Sequence, residues 1–312
     1  MKIQIVLHAL PREIDDVHRI VDQLKRSNYF LSKGQEILLD FTLNISDHMV
    51  DWKKSKLPKE FFIKKFKYIE SLSTFHNDFK ITTEISGCNS VRRNAIRSNS
   101  DTTHILFLDC DLYFSQFNLQ MMFQAIESIQ DKYYIISSEL IQGWDPSWDV
   151  ISNPKTRNTP RIYHEDGITT NRSKSLWGTT DPYDMYMENN IDKIPSLREI
   201  KEIKFGGGWF NLFNKELLKL IDIPDSLGVY GLDDTYIAYG CMIMKKLGYN
   251  VNQYVLENMN ILEDHFYRKN VYDDLLVLKD VREHFKQIAT KAWPNEINLL
   301  QNKLREHYKN EL

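Results

Sequence analysis

Two aspartates one residue apart, Asp109 and Asp111, end an apolar run in the stretch HILFLDCDLYF, residues 104–114. Carboxylate oxygens at that spacing can hold one divalent cation, with phosphate oxygens of a substrate completing its shell. A pair of solvated acids at a strand end would give the same letters. A second pair, Asp233 and Asp234, opens GLDDTYIAYGCMIMKKLGY, residues 231–249. Tyr236, Ile237, Ile243, Met244 and Leu247 recur there as a buried helical face, and Gly248 is the stop. The helix dipole explains one acid at such a start, but it does not readily explain two acids after a glycine. Later, Glu263, Asp264 and His265 set an imidazole beside carboxylates, either a metal-ligand set or an ordinary surface histidine.

These groups need elements to position them. Ile105, Leu106, Phe107 and Leu108 are consecutive apolar residues, the pattern of a strand covered on both faces in a parallel or mixed sheet. Ligands of such sheets bind at the carboxyl ends of the strands, where the Asp109 pair falls. Residues 2–10 read as a first strand. A helix follows, carried by Ile14, Val17, Val21 and Leu24, with Asp15 and Asp16 in its first turn. Residues 36–45 read as a second strand ending in Asn44, Ser46 and Asp47. Asp47 either caps the next segment or contacts a base or ribose. This β-α order suggests a nucleotide-binding α/β layout.

Residues 81–85 are a third strand candidate. GCNSVRRNAIRS, residues 87–98, is a loop and helix bringing Arg92, Arg93 and Arg97 toward the Asp109 strand. Leu119, Met122, Phe123, Ile126 and Ile129 form a core-facing helical stripe. Residues 133–137 and 251–256 read as further strands. Residues 142–203 hold Trp144, Trp148 and Trp177, several prolines and little periodicity, the composition of a long loop region. Residues 205–218, FGGGWFNLFNKELL, read as a glycine turn that presents Trp209 to a ligand, or as a plain turn before a helix. The phosphate-loop spacing is missing. From residue 271 onward the apolar spacing predicts two terminal helices.

With 312 residues, 42% of them hydrophobic, the chain can bury a substantial core and does not have the composition of a disordered protein. Forty basic against 43 acidic side chains leave a net charge of −3, which gives no general attraction to nucleic acid or membrane. Charge is locally uneven: residues 51–67, DWKKSKLPKEFFIKKFK, hold seven lysines against Asp51 and Glu60. Such a stretch is either an amphipathic helix with a solvated face or a patch that meets phosphates. Cys88, Cys110 and Cys241 are scattered and odd in number, so neither a disulfide framework nor a zinc site is expected. The first residues are too short an apolar run for a signal peptide, and no segment approaches the roughly 18 apolar residues of a membrane span. A cytoplasmic setting is the expectation.

In joint order, several stretches resemble the GT-A glycosyltransferases, most closely the family-2-like inverting enzymes. They are VLHALPREID; RRNAIRSNSDTTHILFLDCDLYF; GGGWF; GLDDTYIAYGCMIMKKLGY; and the later histidine. The resemblance spans residues 1–268 as one GT-A domain and leaves 269–312 as a helical extension packed on it. It implies an α/β fold with a mixed, mainly parallel sheet flanked by helices. Asp109 and Asp111 would be the D-x-D pair, and His265 would complete the site for Mn²⁺ or Mg²⁺. Asp234 would be the general base, and Asp233 would replace the usual Glu before it. Gly206, Gly207, Gly208 and Trp209 would lie along donor and acceptor. Pro11, Arg12 and Asp47 would border the nucleotide base, and Arg93 with Asn94 the diphosphate. Three features depart from the family: the first loop lacks T-Y-N, Gly240 stands where many members have Arg, and Asp47 lacks its D-D-G-S context.

The implied reaction moves a sugar from a nucleoside-diphosphate sugar, UDP-linked in the first instance, to an acceptor hydroxyl with inversion. An aspartate in the ordinary pKa range, about 3.9, is ionised at neutral pH and able to accept the proton. The lysine-rich stretch and overall layout also resemble phage-encoded glycosyltransferases, some of which modify hydroxymethylcytosine in DNA; glycan, lipid-linked and protein acceptors are the alternatives. Two rivals remain at this stage. One is a silent nucleotide- or carbohydrate-binding module. The other is a haloacid-dehalogenase-like phosphatase, whose pattern wants Thr or Val where this chain has Tyr113.

Overall fold

The computed structural model describes residues 1–114, 116–143, 195–200, 203, 210–264 and 279–311. The first half alternates strand and helix: β1 (Lys2–Ala9), α1 (Ile14–Asn28), β2 (Glu36–Asn44), α2 (Lys59–Leu72), β3 (His76–Thr82), α3 (Cys88–Arg97) and β4 (His104–Leu108). Then come β5 (Leu112–Tyr113), α4 (Asn118–Ser128), β6 (Tyr133–Gly143), β7 (Leu197–Ile200), β8 (Phe210–Asn214) and α5 (Lys215–Ile221). The described chain closes with α6 (Asp233–Leu247), β9 (Val251–Asp264) and α7 (Lys279–Glu311).

The strands form one mixed sheet in the order β3-β2-β1-β4-β8-β6-β9-β5, with β7 paired to β9. Strands β1 to β4 are mutually parallel. β8 runs antiparallel to both its neighbours, and β6 and β9 are parallel to each other. Alternation along the central strands feeds two cores. Ile3, Ile5 and Leu7 of β1 and Leu106 and Leu108 of β4 join the apolar faces of α1, α2 and α4. Val6, Ile105 and Phe107 join the core that holds α3, α5, α6 and α7. The sheet is thus covered on both faces, and the mixed α/β class with a C-terminal helix is the one expected from the sequence.

The differences from expectation have physical reasons. β3 begins at His76 rather than 81, because as an edge strand it tolerates the polar HND that opens it. β6 and β9 run well past the expected ends, since each satisfies the other's backbone across a register shift at Ser138/Glu139. β8 replaces part of the expected turn-then-helix. Where two terminal helices were expected, the described residues 279–311 form one, α7, with Pro294 inside it. Proline forfeits a helix hydrogen bond, but Ala289 before it and Ile297, Leu300 and Leu304 after it bury in the same core.

Candidate active site at the carboxyl edge of the sheet

Chain order reverses between β1 and β4: from β1 the connections run outward through β2 to β3, then return to β4 on the other side. Crevices at such switch points take ligands beyond the carboxyl ends of the strands. The β1–β4 pairing ends at Leu7 and Leu108, so Asp109 leaves the sheet beside His8, which stays paired to Thr42 of β2. The Cys110 thiol donates to the His8 carbonyl at 3.3 Å, and Arg19 Nη2 of α1 donates to the Cys110 carbonyl at 3.1 Å. These bonds pin the turn that carries both acids. The Asp109 side chain is 39% exposed and Asp111 is buried at 3%. One residue beyond Asp111, Leu112 pairs with Glu263 of β9, so the end of β9 reaches the same edge. His265 lies outside the described residues.

Beside Asp109 is a cavity of about 120 Å³ lined by His8, Leu10, Glu13, Cys88, Asp109 and Tyr230, among others. It gathers residues from β1, the start of α3, the end of β4 and the segment before α6. Burial pushes the Cys88 thiol up to about 12, so it meets the cavity uncharged. Glu13 closes the loop after β1 by accepting the Leu10 N–H at 2.9 Å. Pro11 is buried in that turn, and Arg12 pairs with Glu13 at 3.8 Å. Asp47, the other residue expected at the base, is 79% exposed and pairs with Lys59 of α2 at 3.0 Å.

The second acid pair enters from α6. Gly231 (φ +92°) and Leu232 (φ +63°) both adopt the left-handed region immediately before it. A branched residue rarely does so, and such strain collects at functional sites. Asp233 is buried and accepts Arg92 Nη1 of α3 at 2.6 Å. The same guanidinium reaches Asp109 Oδ1 through Nη2 at 3.3 Å and lies 4.6 Å from the centre of the Phe107 ring. Burial is the largest single influence and works against its charge, but Asp233, Asp109 and its other neighbours together outweigh it, and the Arg92 pKa is raised. Asp234 is half-buried, and its Oδ1 accepts the Thr235 N–H at 2.6 Å and hydroxyl at 3.2 Å. Its pKa is raised, by burial first and then by Asp233, which corrects the ordinary-range value expected from sequence.

α3 also grips the chain leading into α6. A Cβ on Gly87 would collide with the Val229 carbonyl, which accepts the Asn89 N–H at 3.2 Å. Asn89 Nδ2 donates to the Gly231 carbonyl at 3.0 Å. Arg93 donates to the carbonyls of Ile223 (2.8 Å), Pro224 (2.8 Å) and Gly228 (2.9 Å). Arg93, expected beside the diphosphate, clamps this loop, and its Nη1 also pairs with Asp225 at 3.2 Å. Asn94 is exposed on α3. The residue that reaches the acids is Arg92, and helix spacing held the signal: Arg92 is four residues from Cys88 and Ile96 on the sheet-facing side, whereas Arg93 shares a face with Asn89 and Arg97. Gly206, Gly207, Gly208 and Trp209 lie outside the described residues, as do Trp144, Trp148 and Trp177. Phe210, which opens β8, pairs with Leu108 at the same sheet edge. Gly240, where the family pattern has Arg, packs so closely on Ile221 that a Cβ would lie 2.9 Å from Cγ2.

Two carboxylates are hard oxygen donors and suit a divalent cation. Among the described residues no cluster of three His, Cys, Asp or Glu side chains is placed to hold a metal ion. No described helix is long and apolar enough to cross a membrane.

No family model matches the chain, and no curated protein matches its sequence. The solved structures similar to it include the following three. S. aureus TarS 1-349 in complex with UDP-GlcNAc is 12% identical over 93% of this chain and 71% of that one, with a TM-score of 0.46. The mannosyltransferase PcManGT from Pyrobaculum calidifontis, in complex with GDP-Man and Mn²⁺, is 12% identical over 84% of this chain and 56% of its own, with a TM-score of 0.42. A mycobacterial protein is 12% identical over 85% and 68%, with a TM-score of 0.42. The chain thus spans little more than half of the mannosyltransferase.

Proposed function

We propose that the chain is a GT-A-type glycosyltransferase that moves a sugar from a nucleoside-diphosphate sugar, UDP-linked in the first instance, to an acceptor hydroxyl with inversion. The observation that carries this reading is the meeting, at the switch point of the sheet, of a strand-end acid pair with a helix-start acid pair. Asp109 and Asp111, with His265, would hold Mn²⁺ or Mg²⁺, whose charge offsets that of the departing diphosphate. The cavity beside Asp109, bounded by the loop after β1, would take only part of the nucleotide, its volume of about 120 Å³ being smaller than a nucleotide-sized pocket. Asp234 accepts the proton of the attacking hydroxyl. Its raised pKa brings it nearer the working pH, where a general base is most effective.

The acceptor is a hydroxyl-bearing molecule. For hydroxymethylcytosine in DNA, the motivating feature was the lysine-rich stretch, and that stretch has other work. Lys54, Lys59, Lys65 and Lys67 pair with Asp51, Asp47, Asp15 and Glu70, and Phe62 and Phe66 of the same stretch are buried. The test is calorimetry of UDP, GDP and their sugar conjugates, with and without Mn²⁺. Saturable binding of a nucleotide sugar, tightened by the cation and followed by slow hydrolysis, is expected. Absence of any such binding across the panel sinks the reading.

A further inference from the structure

Arg92 stands where β4, α3 and α6 meet, and each of its terminal nitrogens reaches a different acid pair. Nη1 meets Asp233 at 2.6 Å and Nη2 meets Asp109 at 3.3 Å. The side chain is 7% exposed and is backed by the Phe107 ring. A guanidinium is a rigid planar fork, so two acids held by its two arms are held at a fixed separation. We infer that Arg92 is a positioning residue: by spanning Asp109 and Asp233 it fixes the start of α6 against the end of β4, and so holds Asp234 over a donor bound at Asp109. This deepens the glycosyltransferase reading and rests on it.

Three features give the tie its force. Asp233 is buried, and without its cation it would be an uncompensated carboxylate that draws the start of α6 toward water. The backbone just before it is already strained at Leu232, so it has an easier conformation to relax into. Arg93, one residue on, holds only the loop at 222–228 and contacts neither acid pair through the bonds described above. The two arginines therefore divide the work: one supports the loop, the other sets the distance between donor and base. Misplacing a reacting group by about 1 Å can cost about 10²-fold in rate.

The test pairs kinetics with amide hydrogen exchange on Arg92→Lys, which keeps the charge but has one nitrogen for two acids, and on Asp233→Asn, which keeps an acceptor for Nη1. Each variant is expected to lose about 10²-fold in kcat while the donor dissociation constant stays within a few-fold, and the double variant is expected to be no worse than the poorer single. Amides around 108–112 and 230–236 should lose protection together in Arg92→Lys, whereas Arg93→Lys should loosen 222–228. A wild-type kcat in Arg92→Lys, a parallel fall of binding and kcat, or loss of protection in only one of the two segments overturns the inference. If the wild type itself binds no nucleotide sugar, the glycosyltransferase reading fails, and the exchange data still decide whether the tie exists.

Discussion

The two acid pairs sit on elements of opposite kind. Asp109 and Asp111 leave a buried parallel strand, separated by Cys110, and the turn they enter exposes the first and buries the second. Asp233 and Asp234 are consecutive at a helix start, so their side chains diverge by about 100° around the axis. Consecutive helical acids cannot share one task. Asp233 turns inward to Arg92, and Asp234 stays half-buried with a raised pKa. In the proposed reaction the strand-end pair would act jointly on one ligand, and the helix pair would divide the work between structure and proton transfer.

The largest effect expected to test this division is on Asp234. Asp234→Asn should lower transfer by about 10³-fold while leaving donor affinity unchanged; calorimetry beside a turnover assay reads both, and unchanged turnover would erase the distinction between the two helix acids. Asp111→Asn should act at the other end of the reaction, abolishing the difference between donor affinities measured with and without Mn²⁺. Arg93→Ala should leave the chemistry and attack the support: orphaning buried carbonyls costs roughly 2 to 4 kcal/mol in urea unfolding.

The smallest effect is on stability against pH. Folded Asp234 keeps its proton to higher pH than in the unfolded chain, so the stability it contributes is full below the ordinary carboxylate range and is lost as pH rises through its raised value. Asp234→Asn should therefore be the more stable protein at neutral pH, with the gain fading as pH falls toward about 4. Equal midpoints for the two proteins at neutral pH would remove the burial cost assigned to this group.

β1, β2 and β4 of the parallel half were legible because they are rich in buried apolar residues, and α1 shows its helical period, whereas β3 opens on the polar HND and was read five residues late. β8 was hidden because Phe210–Asn214 passes into α5 without a turn, so strand and helix share one apolar stretch. β5 has two residues and no periodicity to read. Within the site, residue types picked out both acid pairs, and the spacing along α3 separated the faces of Arg92 and Arg93. Both arginines are buried, and the three-dimensional path of residues 222–231 is what shows that Arg93 is engaged by backbone carbonyls while Arg92 reaches the acids.

The contact between Gly240 and Ile221 has a consequence for the seating of α6. Gly240 lies seven residues after Asp233, about two turns along, and so on nearly the same azimuth. With no side chain between them, the helix rests directly on Ile221. A larger residue there would force Ile221 to shift or push that face of α6 outward, and with it the end of the helix that Asp233 fastens to Arg92. The missing Cβ therefore sets how closely the helix that carries both acids lies against α5.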